Sequence, residues 1–518
     1  MKTKPTITLI DPPALKLVCT TKTGERFTLP TVRTHFPKQQ LLVLSSATRI
    51  LPCELNIVDM KMEGNEEVPY ATFEQGGLRY ECLRVGSSFG SVQRISESSD
   101  VVGITSPFTQ QARIVTDLAK YIRKINPNIK LVVGGYDTVT DDRQNYYLNN
   151  GFDHVIPNEG EIKFPHWIAS QFGLRLESKS PSTNTLYDQR RPAKNLILPL
   201  PDLSNFDYKK YIEAEDGQLP DGARPPIGYF VSSRGCDRAC EFCTIWSVNR
   251  GLYNVMTPDQ VAVLLQHYKT HGVTTLLHAE SNLLTRLRYG REGRKNLIDT
   301  IQLMREGGFA WEFFDGIEFG RLTDEKNNVD NELVKLLFSP RLSDGQLTGG
   351  YRAYVPLEAI SEPRTKTFDK LKPIVVQNKI IQAIVETGVK QLSFGLIIGF
   401  PEETTRTVDE TKRRADELRN LVYGASGGKT EVLFIYYVHS LFPGSLDYKK
   451  FRSALTVNIE KSPELFQLYT ACKTSAGFSE SEMTLLRRNL DREYNGNAVA
   501  DYSERTGRAP TLHPVTTA

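Results

Sequence analysis

The chain is short of several things at once. It has 7 cysteines in 518 residues, too few for the disulfide framework of a small secreted scaffold. Long apolar runs are missing: the longest strongly apolar stretches, Gln391–Phe400 and Val432–Val438, fall well below the roughly 20 residues that span a bilayer. The N-terminal MKTKPTITLIDPP has basic residues but no apolar stretch of signal-peptide length ahead of its prolines. The expectation is a cytoplasmic protein with no membrane association. Charge of one sign is not in excess either. With 64 Lys+Arg against 61 Asp+Glu the net charge is +3, which gives no reason to expect a nucleic-acid partner. There is no internal repeat, no low-complexity tract and no peptide-leader recognition module.

What is present is an ordinary globular composition, 39% hydrophobic and 24% charged. At roughly 100–200 residues per domain the length suggests two to four domains. Residues 1–175 alternate short apolar runs (Ile7–Ile10, Leu55–Val58, Val101–Ile104, Leu131–Val133, Val155-Ile156) with helical patterning, clearest over Gln110–Ile125. Each run ends in turn residues. That alternation predicts an α/β fold: a Rossmann-like, doubly wound parallel sheet whose ligand sits beyond the carboxyl ends of the strands. Residues 176–226 have linker composition, rich in Pro, Ser and Gly. From 227 to 445 the alternation returns. Candidate strands are Gly228–Ser232, Thr274–His278, Trp311–Phe319, Tyr351–Leu357, Gln391–Ile398 and Val432–His439, with helices such as Thr257–Thr270 and Thr404–Arg419 between them. Six such units suggest a partial (β/α)6 barrel. Residues 446–518 read as a mostly helical tail, clearest over Pro463–Ala476 and Ser479–Asn489, with a frayed end.

Four cysteines, Cys19, Cys53, Cys82 and Cys472, are scattered and read as small buried hydrophobes. The other three, Cys236, Cys240 and Cys243, follow the first predicted barrel strand within eight residues. Clustered thiolates select zinc, copper(I) or iron–sulfur clusters. A structural zinc wants four ligands, and the nearest histidines, His267 and His271, lie on the next helix. A 4Fe-4S cluster can be held by three cysteines, leaving one iron open for a small chelating ligand.

The spacing Cys-x3-Cys-x2-Cys, with the aromatic Phe242 before the last cysteine, resembles the radical S-adenosylmethionine (SAM) superfamily. The resemblance implies that the open iron is chelated by SAM, whose reductive cleavage gives a 5′-deoxyadenosyl radical. Further segments agree in order. Leu276–Asn282 resembles the second-strand segment that receives the SAM amino group, which makes Glu280 and Asn282 candidates; their alternative role is strand-end capping. Val355–Ser361 resembles a fourth-strand Gly-Ile-Glu-Ser segment, with Pro356 in place of glycine and two residues inserted before Ser361, and nominates Glu358. Gly395–Thr404 resembles the fifth-strand segment near adenine, nominating Ile398 and Gly399. His439–Ser445 resembles the sixth-strand ending. Arg321, after the third strand, could face a carboxylate or join an ion pair.

A Rossmann-like domain ahead of such a barrel resembles the cobalamin-binding class of radical SAM enzymes. That resemblance places cobalamin against Thr105, Ser106, Pro107 and Phe108 after the third strand, Gly134, Gly135 and Tyr136 after the fourth, and Asn158, Glu159 and Gly160 after the fifth. Two departures stand out. Where Asp-x-His-x-x-Gly cobalamin domains have a cobalt-binding histidine, this chain has Lys61 in Asp59–Gly64, and a protonated lysine has no lone pair for a metal. Asp137 replaces another usual histidine, and His154 reads as a strand-edge residue. The implied function is C-methylation of an unactivated carbon of a small metabolite, as in natural-product biosynthesis, with methylcobalamin as methyl donor and an external flavodoxin- or ferredoxin-type electron donor. Alternatives are cyclisation, ring contraction or oxidation without net methyl transfer, or a non-enzymatic cobalamin or iron–sulfur sensor.

Overall fold

The computed structural model describes residues 4–30, 39–64, 66–176, 194–195, 198–204, 211, 219–249, 251–359 and 370–496. Ser361, most of the linker 176–226 and the expected frayed end lie outside them.

The strands, in chain order, are β1 Thr6–Asp11, β2 Ala14–Thr20, β3 Arg26–Thr28, β4 Glu54–Asp59, β5 Glu67–Gln75, β6 Leu78–Val85, β7 Val101–Thr105, β8 Lys130–Gly134 and β9 His154–Ile156. Next come β10 Lys194–Asn195, β11 Ile227–Phe230, β12 Ser233–Gly235, β13 Tyr253–Val255, β14 Thr275–His278, β15 Ala310–Phe313, β16 Arg341–Ser343, β17 Gln346–Glu358, β18 Gln391–Ile398 and β19 Glu431–Val438.

The first half is built on five parallel strands in the order β4-β1-β7-β8-β9. This is the doubly wound arrangement the sequence predicts. β1 is buried along its whole length, as a central strand covered by helices on both faces must be. The helix Ala112–Ile125 lays Val115, Leu118, Ala119 and Ile122 on that core. Register aligns the carboxyl ends: Asp11 opposite Asp59, Thr105 opposite Gly134, Gly134 opposite Ile156.

The second half is a six-stranded parallel sheet, β11-β14-β15-β17-β18-β19, with β16 added antiparallel to β17. It is a partial barrel, as expected. Two helices start where predicted, each with a capping box, at Thr257 and Thr404. One strand is shorter than the apolar run suggested: β15 ends at Phe313, because Gly316 turns the chain at φ 86° and a short 3-10 turn follows over Phe319–Arg321.

Two features correct the sequence reading. A four-stranded antiparallel sheet, β3-β2-β6-β5, is inserted in the first half. Its inner face shares a core with the C-terminal region: Leu17, Cys19, Tyr80 and Cys82 pack with Leu441, Leu465, Phe466 and Cys472. Residues Pro463–Ala476 are also not a helix beyond the 3-10 turn Pro463–Leu465. Their backbone groups serve neighbouring segments instead. Val438 N–H donates to the Leu468 carbonyl (2.7 Å) and Thr456 N–H to the Cys472 carbonyl (3.0 Å). The predicted helix at Ser479–Asn489 exists and is longer, Glu480–Asn495, capped by Ser479. No helix among the described residues is long and apolar enough to cross a membrane.

Candidate functional site

The three-cysteine loop follows β12 and is tied to the segments after β14 and β15 through Asn282 and Glu318. All three thiols are free and partly exposed. Burial pushes Cys240 up to about 11, partly offset by Lys370, and Cys243 up to about 12. The Cys236 sulfur accepts N–H groups from Arg238 backbone (3.4 Å) and the Asn282 amide (3.5 Å). Sulfurs that are half-enclosed and receive donors are poised to act as thiolate ligands once a metal offsets the charge. Among the described residues, no three His, Cys, Asp or Glu side chains gather tightly enough around a single metal ion.

Around the loop is a charged network that sequence reading resolved only in part. Glu318 accepts from Arg238 (2.6 Å), Arg321 (2.7 Å) and Asn282 (2.8 Å). Arg321 also reaches both oxygens of Asp237 at 2.9 and 2.7 Å. Arg321 is thus an internal brace between the cysteine loop and the third-strand turn, not a surface ion pair. Asn282 sits at the centre: its amide nitrogen is engaged, while its Oδ1 is buried with no hydrogen-bond partner. A buried acceptor without a donor is costly unless a ligand supplies one. Glu280 is differently placed. Its carboxylate accepts from Ser232 N–H (2.8 Å), Ser232 Oγ (2.6 Å), Ser233 Oγ and Arg286 (3.4 Å). This is the strand-end capping role.

Glu358 ends β17 in the left-handed region at φ 60° and is ion-paired with Lys370. The Lys370 ammonium lies 6.0 Å from the centre of the Phe242 ring. Burial opposes the charge on Lys370, but Glu358 and Cys240 together hold its pKa above the usual range. Phe242 packs with Ala359, Phe400 and Ile397. Ile398 closes β18, and its carbonyl accepts from His439 N–H at 2.7 Å. Gly399 donates its N–H to Glu403 (3.0 Å), and its carbonyl receives the Lys473 ammonium (2.5 Å). Glu318, Asp237 and Lys370 were missed by sequence reasoning. Asp237 carried a signal, because it lies inside the cysteine motif; Lys370 carried none.

The first-half candidates all lie at the carboxyl edge of the five-stranded sheet, on the last residues of its strands, the loops after them or the start of the helix that follows β9. Ser106 Oγ and Tyr147 Oη are 2.6 Å apart. The glycine after β8 is obligatory: Gly135 has φ 125°, and a Cβ there would lie 2.3 Å from the Ser106 carbonyl oxygen. Phe108 and Tyr136 project with 48% and 43% of their surface accessible. Asn158 adopts φ 63°, just before Glu159 and the helix that starts at Gly160. Asp137 is committed elsewhere, accepting from Thr109 (2.5 Å), Tyr147 (2.6 Å) and Arg143 (2.6 Å). Lys61 is buried and donates to Asp11 at 2.7 Å. His154 stacks on Trp167 with ring centres 5.1 Å apart, the strand-edge reading. His267 bonds the Pro201 carbonyl (2.8 Å), away from the cysteines.

The two halves meet at this edge. Arg234, two residues before Cys236, is ion-paired with Glu161 on the helix after β9. Tyr136 projects at the same edge; desolvation raises its pKa, with Arg234 opposing the rise.

Comparison with known proteins agrees with this construction. The model for the B12 binding domain matches residues 89–168. The chain is 23% identical over 314 residues to the cytidylyl-2-hydroxyethylphosphonate methyltransferase of Streptomyces wedmorensis, an alignment covering 52% of this chain and 54% of that protein. The chain therefore spans about half the length of this curated relative. Among solved structures, the cobalamin-dependent SAM radical enzyme OxsB superposes with a TM-score of 0.61 at 13% identity, over 96% of this chain and 67% of that one. The radical SAM methyltransferase TsrM of Kitasatospora setae follows with 0.53 at 13%, over 87% and 76%. The chain thus carries a B12-binding domain match within its first half and shares the fold of OxsB and TsrM, with its Cys-x3-Cys-x2-Cys loop on a partial parallel barrel.

Proposed function

We propose that the protein is a cobalamin-dependent radical SAM methyltransferase that methylates an unactivated carbon of a small metabolite. The observation that carries this reading is the ion pair that joins Arg234, two residues before Cys236, to Glu161 on the helix after β9, which brings the cysteine loop against the carboxyl edge of the first-half sheet. On this reading the division near residues 175 and 227 separates a corrin-bearing part from a cluster-bearing part.

Cys236, Cys240 and Cys243 would hold a 4Fe-4S cluster. Phe242, Asn282, Arg321, Glu358, Ile398 and Gly399 would border SAM, with Glu280 acting through the Ser232 backbone. Thr105–Phe108, Gly134–Tyr136 and Asn158–Gly160 would border cobalamin. When bound, the cluster with SAM supplies a 5′-deoxyadenosyl radical and cobalamin supplies a methyl carrier. The chain's own residues do the positioning. Asn282 Oδ1 offers an unsatisfied acceptor to an ammonium. The Asp237–Arg321–Glu318–Arg238 braces hold the cysteine loop against the third-strand turn. Lys61, paired with Asp11, is no cobalt ligand. A flavodoxin- or ferredoxin-type protein would deliver the electron.

Anaerobic turnover with methyl-deuterated SAM tests the reading. The expected result is a methylated small molecule carrying the label together with 5′-deoxyadenosine, both lost in Cys240→Ala. Formation of 5′-deoxyadenosine with no methylated product from any metabolite extract would overturn methyl transfer while leaving radical chemistry.

A further inference from the structure

The segment His439–Ser445 joins the end of β19 to a short helix, Leu446–Phe451, and this helix lies against the cysteine loop. His439 is buried, and its Nε2 lies 2.8 Å from Oδ2 of the equally buried Asp447. The backbone N–H of His439 donates to the Ile398 carbonyl (2.7 Å). Its ring stacks on Phe400 with centres 4.4 Å apart. Phe400 in turn shares an apolar group with Phe242, the residue just before Cys243.

The loop is gripped on both sides of Cys243. Asp447 N–H donates to the Glu241 carbonyl (2.9 Å), inside the turn that Cys243 N–H closes on the Cys240 carbonyl (3.0 Å). Ser247, four residues after Cys243, donates its hydroxyl to the Gly444 carbonyl. The Lys450 ammonium also lies 3.7 Å from the Glu241 carboxylate, but both side chains are exposed, so that pair contributes little. The buried bonds do the holding. A six-residue helix does not sustain itself. Its first turn is fixed by the Ser445 cap, whose Oγ accepts from Tyr448 N–H (3.0 Å), and by the bond from His439 to Asp447. Asp447 thus uses its side chain on His439 and its backbone on the cysteine loop. A buried carboxylate stripped of its partner is drawn toward water, and it would take that backbone N–H with it.

We propose that His439 and Asp447 are positioning residues for the iron–sulfur cluster: the pair fixes the Cys240–Cys243 turn from outside, through the Glu241 carbonyl and the Phe400–Phe242 packing. The proposal rests on the reading above that the three cysteines hold a cluster.

The test follows the cysteines before any cluster is built. In the cluster-free protein, alkylation by iodoacetamide is timed by peptide mass spectrometry in the wild type, His439→Ala and His439→Gln, with the partly exposed Cys53 of the first half as internal reference. His439→Ala should speed labelling of Cys240 and Cys243 relative to Cys53 by about fivefold, the factor that one lost hydrogen bond is worth. Glutamine, whose amide nitrogen can stand where Nε2 does, should restore the wild-type rate. The reconstituted holoenzyme gives a second readout. With iron content kept, the EPR signal of the reduced cluster, and its change on adding SAM, should differ from wild type in His439→Ala and return in His439→Gln. Asn495→Leu, a buried change near Phe434 of β19, controls for lost stability alone and should leave both readouts as in the wild type. If His439→Ala does not fold, Ser247→Ala, which releases the Gly444 side of the grip, takes its place with the same expected direction. Unchanged labelling and an unchanged EPR signal would overturn the proposal, as would equal effects in Asn495→Leu or a glutamine variant that behaves like alanine. A wild type that takes up no iron fails the cluster reading itself, while the labelling rates still report on the turn, so the two failures are told apart.

Discussion

At the residue scale, two ionisable groups make sharp predictions. His278 at the end of β14 lies between the Phe230 and Phe313 rings, at 4.8 and 4.9 Å, and neither ring nitrogen has a hydrogen-bond partner. Burial lowers its pKa to about 4, only partly countered by Glu280. The unfolded chain binds a proton near pH 6.5 that the folded chain refuses. Stability is therefore present above that value and lost as pH falls toward 4, by about 3 kcal/mol in full. Replacing His278 with Phe should flatten the urea midpoint between pH 6.5 and 4; an unchanged slope would assign the acid sensitivity elsewhere. Asp315 runs the other way. Burial, with Glu280, raises it to about 7, so the folded state holds a proton the unfolded state has released. Asp315→Asn should raise the melting temperature at pH 8 relative to wild type, and the gain should vanish by pH 4. A third prediction concerns Gly135. Alanine there forces a Cβ onto the Ser106 carbonyl and should cost about 1–3 kcal/mol of local strain. The expected readout is loss of corrin retention with iron content unchanged.

At the element scale, the C-terminal helix Glu480–Asn495 solves a problem left by an unclosed barrel. β19 is an edge strand, and edge strands with free N–H and C=O groups invite aggregation. Here Asn495, fully buried, accepts from Phe434 N–H (2.9 Å) and donates to its carbonyl (2.6 Å). Arg487 donates to the Tyr436 carbonyl (3.0 Å), and Val438 N–H reaches Leu468 (2.7 Å). Side chains thus imitate a missing strand. Asn495→Leu should destabilise by about 2 kcal/mol, since two buried backbone groups lose partners, and a midpoint unchanged in urea would refute the edge-capping role. The eleven parallel strands of the two main sheets were legible because buried strands between turn residues leave unbroken apolar runs. The antiparallel sheet was legible in principle. Leu78, Tyr80 and Cys82 point inward and Arg79 outward, and Gly76-Gly77 turns the hairpin at φ 58° and 79°. The charged outer face broke up the apolar run and hid it. Pro463–Ala476 could not have been read correctly from its own pattern, because its backbone pairs with residues near 438 and 456.

At the scale of the molecule, the proposed function depends on two sheets whose carboxyl edges meet where Arg234 pairs with Glu161. The cysteine loop announced itself in the sequence because metal ligation needs fixed residue types at fixed spacing. The charged network around it did not. Glu318 and Lys370 come from separate segments, and nothing in their local sequence distinguishes them from other polar residues. The C-terminal region joins the halves: it shares a core with the inserted sheet, and Glu464 pairs with Arg113 of the first half at 2.5 Å. The central claim is that one chain holds both an iron–sulfur cluster and a corrin where its two halves meet. The most direct test is anaerobic reconstitution with iron, sulfide and hydroxocobalamin, followed by desalting, metal analysis and a visible spectrum. The account predicts about four irons and one retained corrin per chain, with iron alone lost in the Cys236/Cys240/Cys243→Ala protein. Iron retained without any corrin would contradict it.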